Sequence, residues 1–269
     1  MRRVAAGMVI LLCGLAAVHA RAADAFPISE VAPGVFVHQA PYALALPRNL
    51  GFVGNAGFIV GRDAVAVVDT GGSFRAGEQL LAAIRARTDL PVRYVINTHM
   101  HPDHVLGDAA FVGPGVTFIG HHNLPEALAA RAESYLAANR RLIGEEAAAG
   151  TRIVLPDVTV TDRLTVDLGA RPLLIEAWPT AHTSNDLTVF DEATGTWFLG
   201  DLLFAGHVPA LDGKLLGWIA LIDELKRRPA ARVVPGHGPP SMAWPEAAGP
   251  MERYLKRLAS DVRTVVQEG

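Results

Sequence analysis

Short apolar, β-branched runs recur along the chain, and between them lie stretches in which apolar positions return every three or four residues. The first pattern predicts buried strands and the second amphipathic helices. "VAPGVFVHQAP" predicts an opening strand led by a Pro-Gly turn. In "GFVGNAGFIVGRDAVAVVDTGG" two apolar runs flank Gly61-Arg62-Asp63, a hairpin signal, and the second run ends on Asp69 and a glycine pair. Residues 76 to 87 place Leu80, Leu81, Ala83 and Ile84 on one helical face. "VRYVINTH" then predicts a buried strand after a helix, which makes a βαβ unit. Another strand, "GVTFIG", precedes a helical stretch from Asn123 to about Ala149, where Asn123 and Glu126 have the spacing of a capping box and Pro125 suits the first turn.

The second half keeps the same rhythm. "TVTDRLTVDLG", "PLLIEAWPT", "LTVFDEATGTWFLGD" and "RVVPGHG" predict strands, residues 214 to 228 a helix, and Pro245 to about Val266 a terminal helix. Strands and helices interleave without a low-complexity linker, so the class is mixed α/β. In each half one strand is expected to end in aspartate, at Asp69 and at Asp201.

Length and composition add boundaries. Half of the 269 residues are apolar, enough for one large domain over residues 23–269. The segment before it, residues 1–22, has Arg2 and Arg3, an uncharged apolar run from Val4 to Val18 and small residues at Ala20 and Ala22, the layout of a secretory signal peptide. The run is short for a membrane anchor, and the leucines before Cys13 do not suit a lipoprotein signal. The expected location is therefore periplasmic or secreted, with no membrane attachment after cleavage. Cys13 is the only cysteine and leaves with the leader, so any metal in the mature chain is held by nitrogen and oxygen. Cleavage after Ala20 would remove Arg2 and Arg3 and take the formal net charge from −3 to −5, which argues against nucleic acid and for a small-molecule substrate. Oligomeric state is not legible.

The chemistry concentrates in "NTHMHPDHVLGD", where His99, His101, Asp103 and His104 fall within six positions. The spacing of His99 and His101 lets both rings point the same way from a strand end, and Pro102 argues against a regular helix there. Four donors on one loop exceed what a catalytic tetrahedral ion takes from protein, which suggests two ions side by side. Further donors are expected at later strand ends, where the sheet holds them: His182 in "AHTSND", Asp201 in "FLGDLLF" and His237 in "PGHGP".

In that order, T-H-x-H-x-D-H, A-H-T, G-D and G-H-G resemble the metallo-β-lactamase superfamily. The flanking text "NAGFIVG", "VVDTGGS", "AWPTAHTSNDLTV" and "VPGHGP" is most similar to the exported zinc metallohydrolases of quinoprotein dehydrogenase relay systems. The resemblance implies a four-layer αββα sandwich with the metals at one edge of the two sheets. It implies that His99, His101 and His182 hold a first metal, that Asp103, His104 and His237 hold a second, and that Asp201 bridges them. It also implies that Asp69 orients a ligand histidine. Among the other histidines, His121 and His122 are expected on an exposed loop and His38 on an edge strand, while His207 is a candidate for the substrate cleft. Phe74, Trp178 and Trp218 read as core rather than cleft.

Two zinc ions per chain, with iron or manganese also admitted by the donors, would lower the pKa of a shared water toward ~7. Asp103 would ligate and orient the attacking oxygen, so the expected reaction is hydrolysis of an ester, thioester, lactone or amide, a β-lactam included. Two alternatives stand beside it: a mononuclear iron sulfur dioxygenase of persulfide-dioxygenase type, and a non-catalytic metal-binding accessory protein. A glutathione-thioester hydrolase is disfavoured, since only Lys214, Lys226 and Lys256 supply lysine and no basic cluster is evident. Specificity is expected in the loops after residues 71, 121 and 203.

Overall fold

The computed structural model describes residues 26–268; the expected signal peptide and Cys13 lie outside the described residues. Two sheets stack face to face. The larger runs in the order β1 (Ser29–Ala32), β2 (Val35–His38), β3 (Ala56–Val60), β4 (Val65–Val68), β5 (Val92–Ile96), β6 (Thr117–His121) and β7 (Val158–Val160). Its first four strands pair antiparallel, and β4 to β7 pair parallel. The smaller sheet runs β12 (Arg232–His237), β11 (Thr196–Phe204), β10 (Leu187–Asp191), β9 (Pro172–Ala177), β8 (Arg163–Asp167), parallel only between β11 and β12.

Helices cover both outer faces, giving the αββα order. The core between the sheets is Val, Ile and Leu from both, including Ile59, Val68, Ile96, Ile175 and Val189. On the outside of the larger sheet, α1 (Phe74–Arg85) buries Ala76, Leu80 and Ile84 in one cluster with Phe58 and Val67. The Ser73 side chain caps α1 by accepting from the Ala76 amide at 3.2 Å. On the outside of the smaller sheet, α5 (Leu215–Leu225) turns Trp218, Leu221, Ile222 and Leu225 inward at helical spacing, and α6 (Ala248–Glu268) adds Met251 and Leu255. Trp218 and Trp178 are core, as their surroundings in sequence suggest, whereas Phe74 is half-buried over Gly150. Among the described residues, no helix is long and apolar enough to cross a membrane.

Two polar ties lock the sheets in register. Arg171, on the β8–β9 turn, donates to Asp191 at 3.0 and 2.7 Å and to the carbonyls of Val60 and Pro33 across the stack. Asn55 accepts from the Ala40 amide and donates to the carbonyls of Pro235 and Gly238, fastening the start of β3 to the end of β12. Such buried polar groups cost little only when fully partnered, so each fixes one relative placement of its neighbours.

Several local expectations need correction. The "TVTDRLTVDLG" run is two strands, β7 and β8, which belong to different sheets. The helix after Asn123 breaks at Gly144 (φ 83°), leaving α3 (Leu124–Ile143) and a short α4 (Glu145–Ala148). Asn123 forms no side-chain cap; its amide donates instead to the Ser184 carbonyl at 2.9 Å. Pro102 does not exclude a helix: Pro102–Val105 form one turn, α2, because proline at the first helical position lacks only an amide that would be unpaired anyway. Asp201 lies inside β11 rather than at its end, since the apolar run continues to Phe204. His38 is not on an edge strand: β2 has β1 outside it, and the ring is buried, stacked on Phe26 and hydrogen-bonded to the Pro27 carbonyl. His121 is likewise buried at the end of β6, and only His122 is exposed.

Candidate metal centre

The C-terminal ends of the parallel strands β4 and β5 lie side by side, which brings Asp69 beneath the loop that follows Ile96. That loop carries His99, His101, Asp103 and His104. From the smaller sheet come His182 on the β9–β10 loop, Asp201 from within β11, and His237 at the end of β12. Gly200 (φ 52°) sits where the β11–β12 register shifts, and that bulge turns the next side chain, Asp201, into the gap between the sheets.

The seven side chains form two adjoining clusters. One ligand atom each from His99, His101, His182 and Asp201 lie within 4.8 Å of one another, as do those of Asp103, His104 and His237. Asp201 joins them: Oδ2 lies 3.5 Å from His99 Nε2, 3.3 Å from His182 Nε2 and 3.4 Å from His237 Nε2, and Oδ1 lies 3.2 Å from His104 Nε2. Asp103 Oδ2 faces His104 and His237 at 3.5 and 3.4 Å. His99, His104, His182 and Asp201 are buried, while His101, Asp103 and His237 are partly exposed and form the open side.

The rings are aimed from behind. His104 Nδ1 donates to Asp69 Oδ2 at 2.8 Å. Thr98 gives both its amide and its hydroxyl to Asp69, and its oxygen sits 3.0 Å from His99 Nδ1. His182 Nδ1 donates to the Ala210 carbonyl at 2.9 Å. His101 is turned the other way: Nδ1 faces His182 Nε2 at 3.0 Å and Nε2 meets Asp212 Oδ2 at 3.2 Å. Arg131 on α3 grips both oxygens of Asp212 at 3.0 and 3.1 Å. A proton held on the outward nitrogen leaves the inward one with a free lone pair, the form that ligates a cation. Asp69 takes a left-handed backbone (φ 58°) to serve both Thr98 and His104, a conformation aspartate tolerates better than most residues.

The donors fit a pair of cations. His99 Nε2, His104 Nε2 and Asp201 Oδ1 are buried without any hydrogen-bond partner, an expensive condition that a metal relieves. Space is kept for it: a Cβ on Gly54 would lie 2.7 Å from His104 Nε2 and 2.9 Å from Asp103 Oδ2, and one on Gly236 would overlap Asp201 Oδ1. The electrostatics agree. Burial pushes the Asp201 carboxyl up, but His237, His104 and His99 overcome it and hold it well below the usual carboxylate range. Burial lowers His104, yet Asp201, Asp103 and Asp69 carry it well above the ordinary imidazole value, and Asp201 does the same to a lesser degree for His182 and His237. His99 stays well below its ordinary value because burial, then His104, opposes its charge. A dication among these donors would take the place of the protons that the carboxylates otherwise favour on His104, His182 and His237.

Beyond the ligand shell, His207 lies on the loop after β11, its ring 5.1 Å from His237 and 4.3 Å from Tyr42. Phe204 stacks on His237 at 4.8 Å. Sequence reasoning missed Asp212, Arg131 and Tyr42: each is an ordinary loop or helix residue whose spacing to the histidines carries no signal. A cavity of about 790 Å³ backs onto the His182 loop, with Thr180, Ser184, His121 and Lys214 in its wall and none of the seven donors.

Residues 50–237 match the family model of the metallo-beta-lactamase superfamily. A metallo-beta-lactamase from Pontibacter korlensis superposes with a TM-score of 0.68 at 21% identity, covering 86% of this chain and 98% of that one. The metallo-beta-lactamase FIM-1 from Pseudomonas aeruginosa, in its mono-zinc form, gives 0.67 at 20% identity over 86% and 95% of the two chains. Identities this low speak for the fold alone. A linear primary-alkylsulfatase from a Pseudomonas species is 40% identical over 50 residues, 19% of this chain and only 10% of that relative's length.

Proposed function

Because the chain belongs to the metallo-beta-lactamase superfamily, we propose that it is an exported dinuclear zinc hydrolase that cleaves an ester, thioester, lactone or amide bond. The observation that carries this reading is the pair of adjoining donor clusters joined through Asp201, with His99 Nε2, His104 Nε2 and Asp201 Oδ1 buried and unpartnered. His99, His101 and His182 would hold one ion, Asp103, His104 and His237 the other, and Asp201 both. Zinc fits an all-nitrogen-and-oxygen donor set, and two ions supply Lewis acidity for both a water and a carbonyl oxygen.

The chain's own residues supply the rest. Asp201 sets the spacing of the two clusters from a rigid strand. Asp69 and Asp212 keep His104 and His101 in one orientation, so that little reorganisation is needed during reaction. Asp103, the one acid among the partly exposed donors, accepts a hydrogen bond from an attacking water and fixes its approach to the scissile carbon. The narrower reading, membership of the quinoprotein relay group, is supported by the sequence flanking His182 and His237; the leader of residues 1–22 supports export.

The test is turnover by zinc-loaded protein over a panel of esters, thioesters, lactones, amides, β-lactams and, prompted by the alkylsulfatase match, alkyl sulfates. Activity should vanish on chelation and return with zinc; cleavage of none would overturn the hydrolase reading. One iron and no zinc per natively purified chain would favour the sulfur dioxygenase instead. Loss of a periplasmic quinoprotein dehydrogenase activity on deletion would support the relay link, and unchanged activity would remove it.

A further inference from the structure

Helix α3 lies along the donor loop with one side turned toward it. Leu128 packs in one cluster with Met100, Val105 and Leu106, residues that bracket Asp103 and His104. Arg131 donates to both oxygens of Asp212 at 3.0 and 3.1 Å and approaches Met100 Sδ at 3.8 Å. Two turns further on, buried Asn139 donates to the Gly72 carbonyl at 2.7 Å, just beyond Asp69. Tyr135 stands midway between Arg131 and Asn139, and a four-residue step keeps side chains on one side of a helix. Its two neighbours on that side are fastened at opposite ends of the donor set, one behind His101 and the other beyond Asp69. The tyrosine between them therefore faces the segment that carries Asp103.

The phenol is half-buried and has no hydrogen-bond partner among the described residues. The charges that bear on it are those of the centre: burial pushes it up to about 12, Arg131 opposes the shift, and Asp212 and Asp103 add to it. It is a neutral O–H donor throughout the neutral range, and with no acceptor in the protein it is free to donate to a ligand.

Resting on the hydrolase reading above, we infer that Tyr135 is a catalytic residue whose hydroxyl donates a hydrogen bond to the substrate oxygen that gains negative charge as water attacks. The proton stays on the phenol. The hydrogen bond strengthens as charge grows, so it lowers the barrier more than it tightens substrate binding. Seated on a 20-residue helix that is pinned on either side of it, the hydroxyl needs little reorganisation during reaction.

Tyr135→Phe removes the oxygen and keeps the ring. In zinc-loaded protein it should lower kcat by about a hundredfold on whichever ester, thioester, lactone or amide is cleaved, with KM within about twofold. Calorimetry with phenylphosphonate, a tetrahedral anion resembling the charge formed on attack, gives a readout without turnover: affinity should fall by about tenfold or more in the variant. Zinc content and thermal midpoint should match those of the unaltered protein. An unchanged kcat, a raised KM alone, equal phosphonate affinity, or loss of zinc from the variant overturns the inference and leaves the hydrolase reading standing. If unaltered protein carrying two zinc ions cleaves nothing on the panel, both fall.

Discussion

The two donor clusters are built unequally. In the first, each histidine is hydrogen-bonded from behind: His99 by Thr98, His101 by Asp212, which Arg131 grips in turn, and His182 by the Ala210 carbonyl. In the second, His104 is held by Asp69, but buried His237 Nδ1 has no partner and the ring is placed by stacking on Phe204. A hydrogen bond fixes both ring orientation and tautomer, whereas stacking fixes orientation alone. On the dinuclear reading proposed above, two sites sharing one carboxylate need not share one affinity: the first would be organised before metal arrives, and the second completed by it. Stepwise chelation of the two-zinc protein should therefore release the second-cluster ion first.

The largest effect is expected where the clusters meet. Asp201→Ala should abolish binding of two ions and lower kcat/KM by roughly a thousandfold or more, the scale of losing several kcal/mol of Lewis-acid stabilisation. Metal content by mass spectrometry and steady-state kinetics check this; retention of two tightly held ions would dissolve the shared-carboxylate picture. Asp69→Ala comes next, because that carboxylate supports Thr98 behind His99 as well as His104. Zinc affinity should fall about 10- to 100-fold at both positions. Asp212→Ala sharpens the contrast, since its support reaches His101 only. Competition with a chromogenic chelator should show the first ion weakened by about tenfold or more with the second unchanged, and Arg131→Met should act in the same direction less strongly. Equal weakening of both ions would argue against separate supports.

The smallest effect concerns the floor under the second cluster. Asp108 is fully buried, accepts from Thr70 and Asn97, and is pushed by burial up to about 8. Between the unfolded value of 3.8 and about 8, the folded chain holds one proton more than the unfolded chain. That contribution is fully present at low pH and is lost as pH rises through the folded value. Asp108→Asn does not titrate, so relative to the unaltered protein it should gain thermal stability between pH 5 and pH 8, by a few °C per kcal/mol recovered. A stability difference independent of pH would show that Asp108 is ionised in the fold.

Much of this architecture was legible in the chain. Period-two and period-3.6 patterns located most strands and α1, α5 and α6, because burial on one face imposes those repeats whatever the partner. The seven candidate donors stood out because three histidines and an aspartate crowd into residues 99–104 and the other three follow in the motifs A-H-T, G-D and G-H-G, a pattern that packing alone does not call for. Errors fell where a local rule met a tertiary competitor. Asn123 has the composition of a helix cap but serves Ser184, and His121 looks like a loop residue yet closes a buried strand. The separation of β7 from β8 was invisible, since two short alternating runs look the same whether they pair with each other or with different sheets.

By itself, then, the sequence determined the α/β class, the repertoire of nitrogen and oxygen donors beyond residue 22, and the order of the donor motifs, since composition, periodicity and motif spacing are properties of the chain. Only the tertiary structure decided that residues 99–104 meet His182, Asp201 and His237, that Asp69 and Asp212 stand behind different rings, and that Tyr42 reaches across to His207. Those relations depend on how two sheets stack and on where Gly200 bends a strand, and such long-range geometry leaves no periodic trace along the chain.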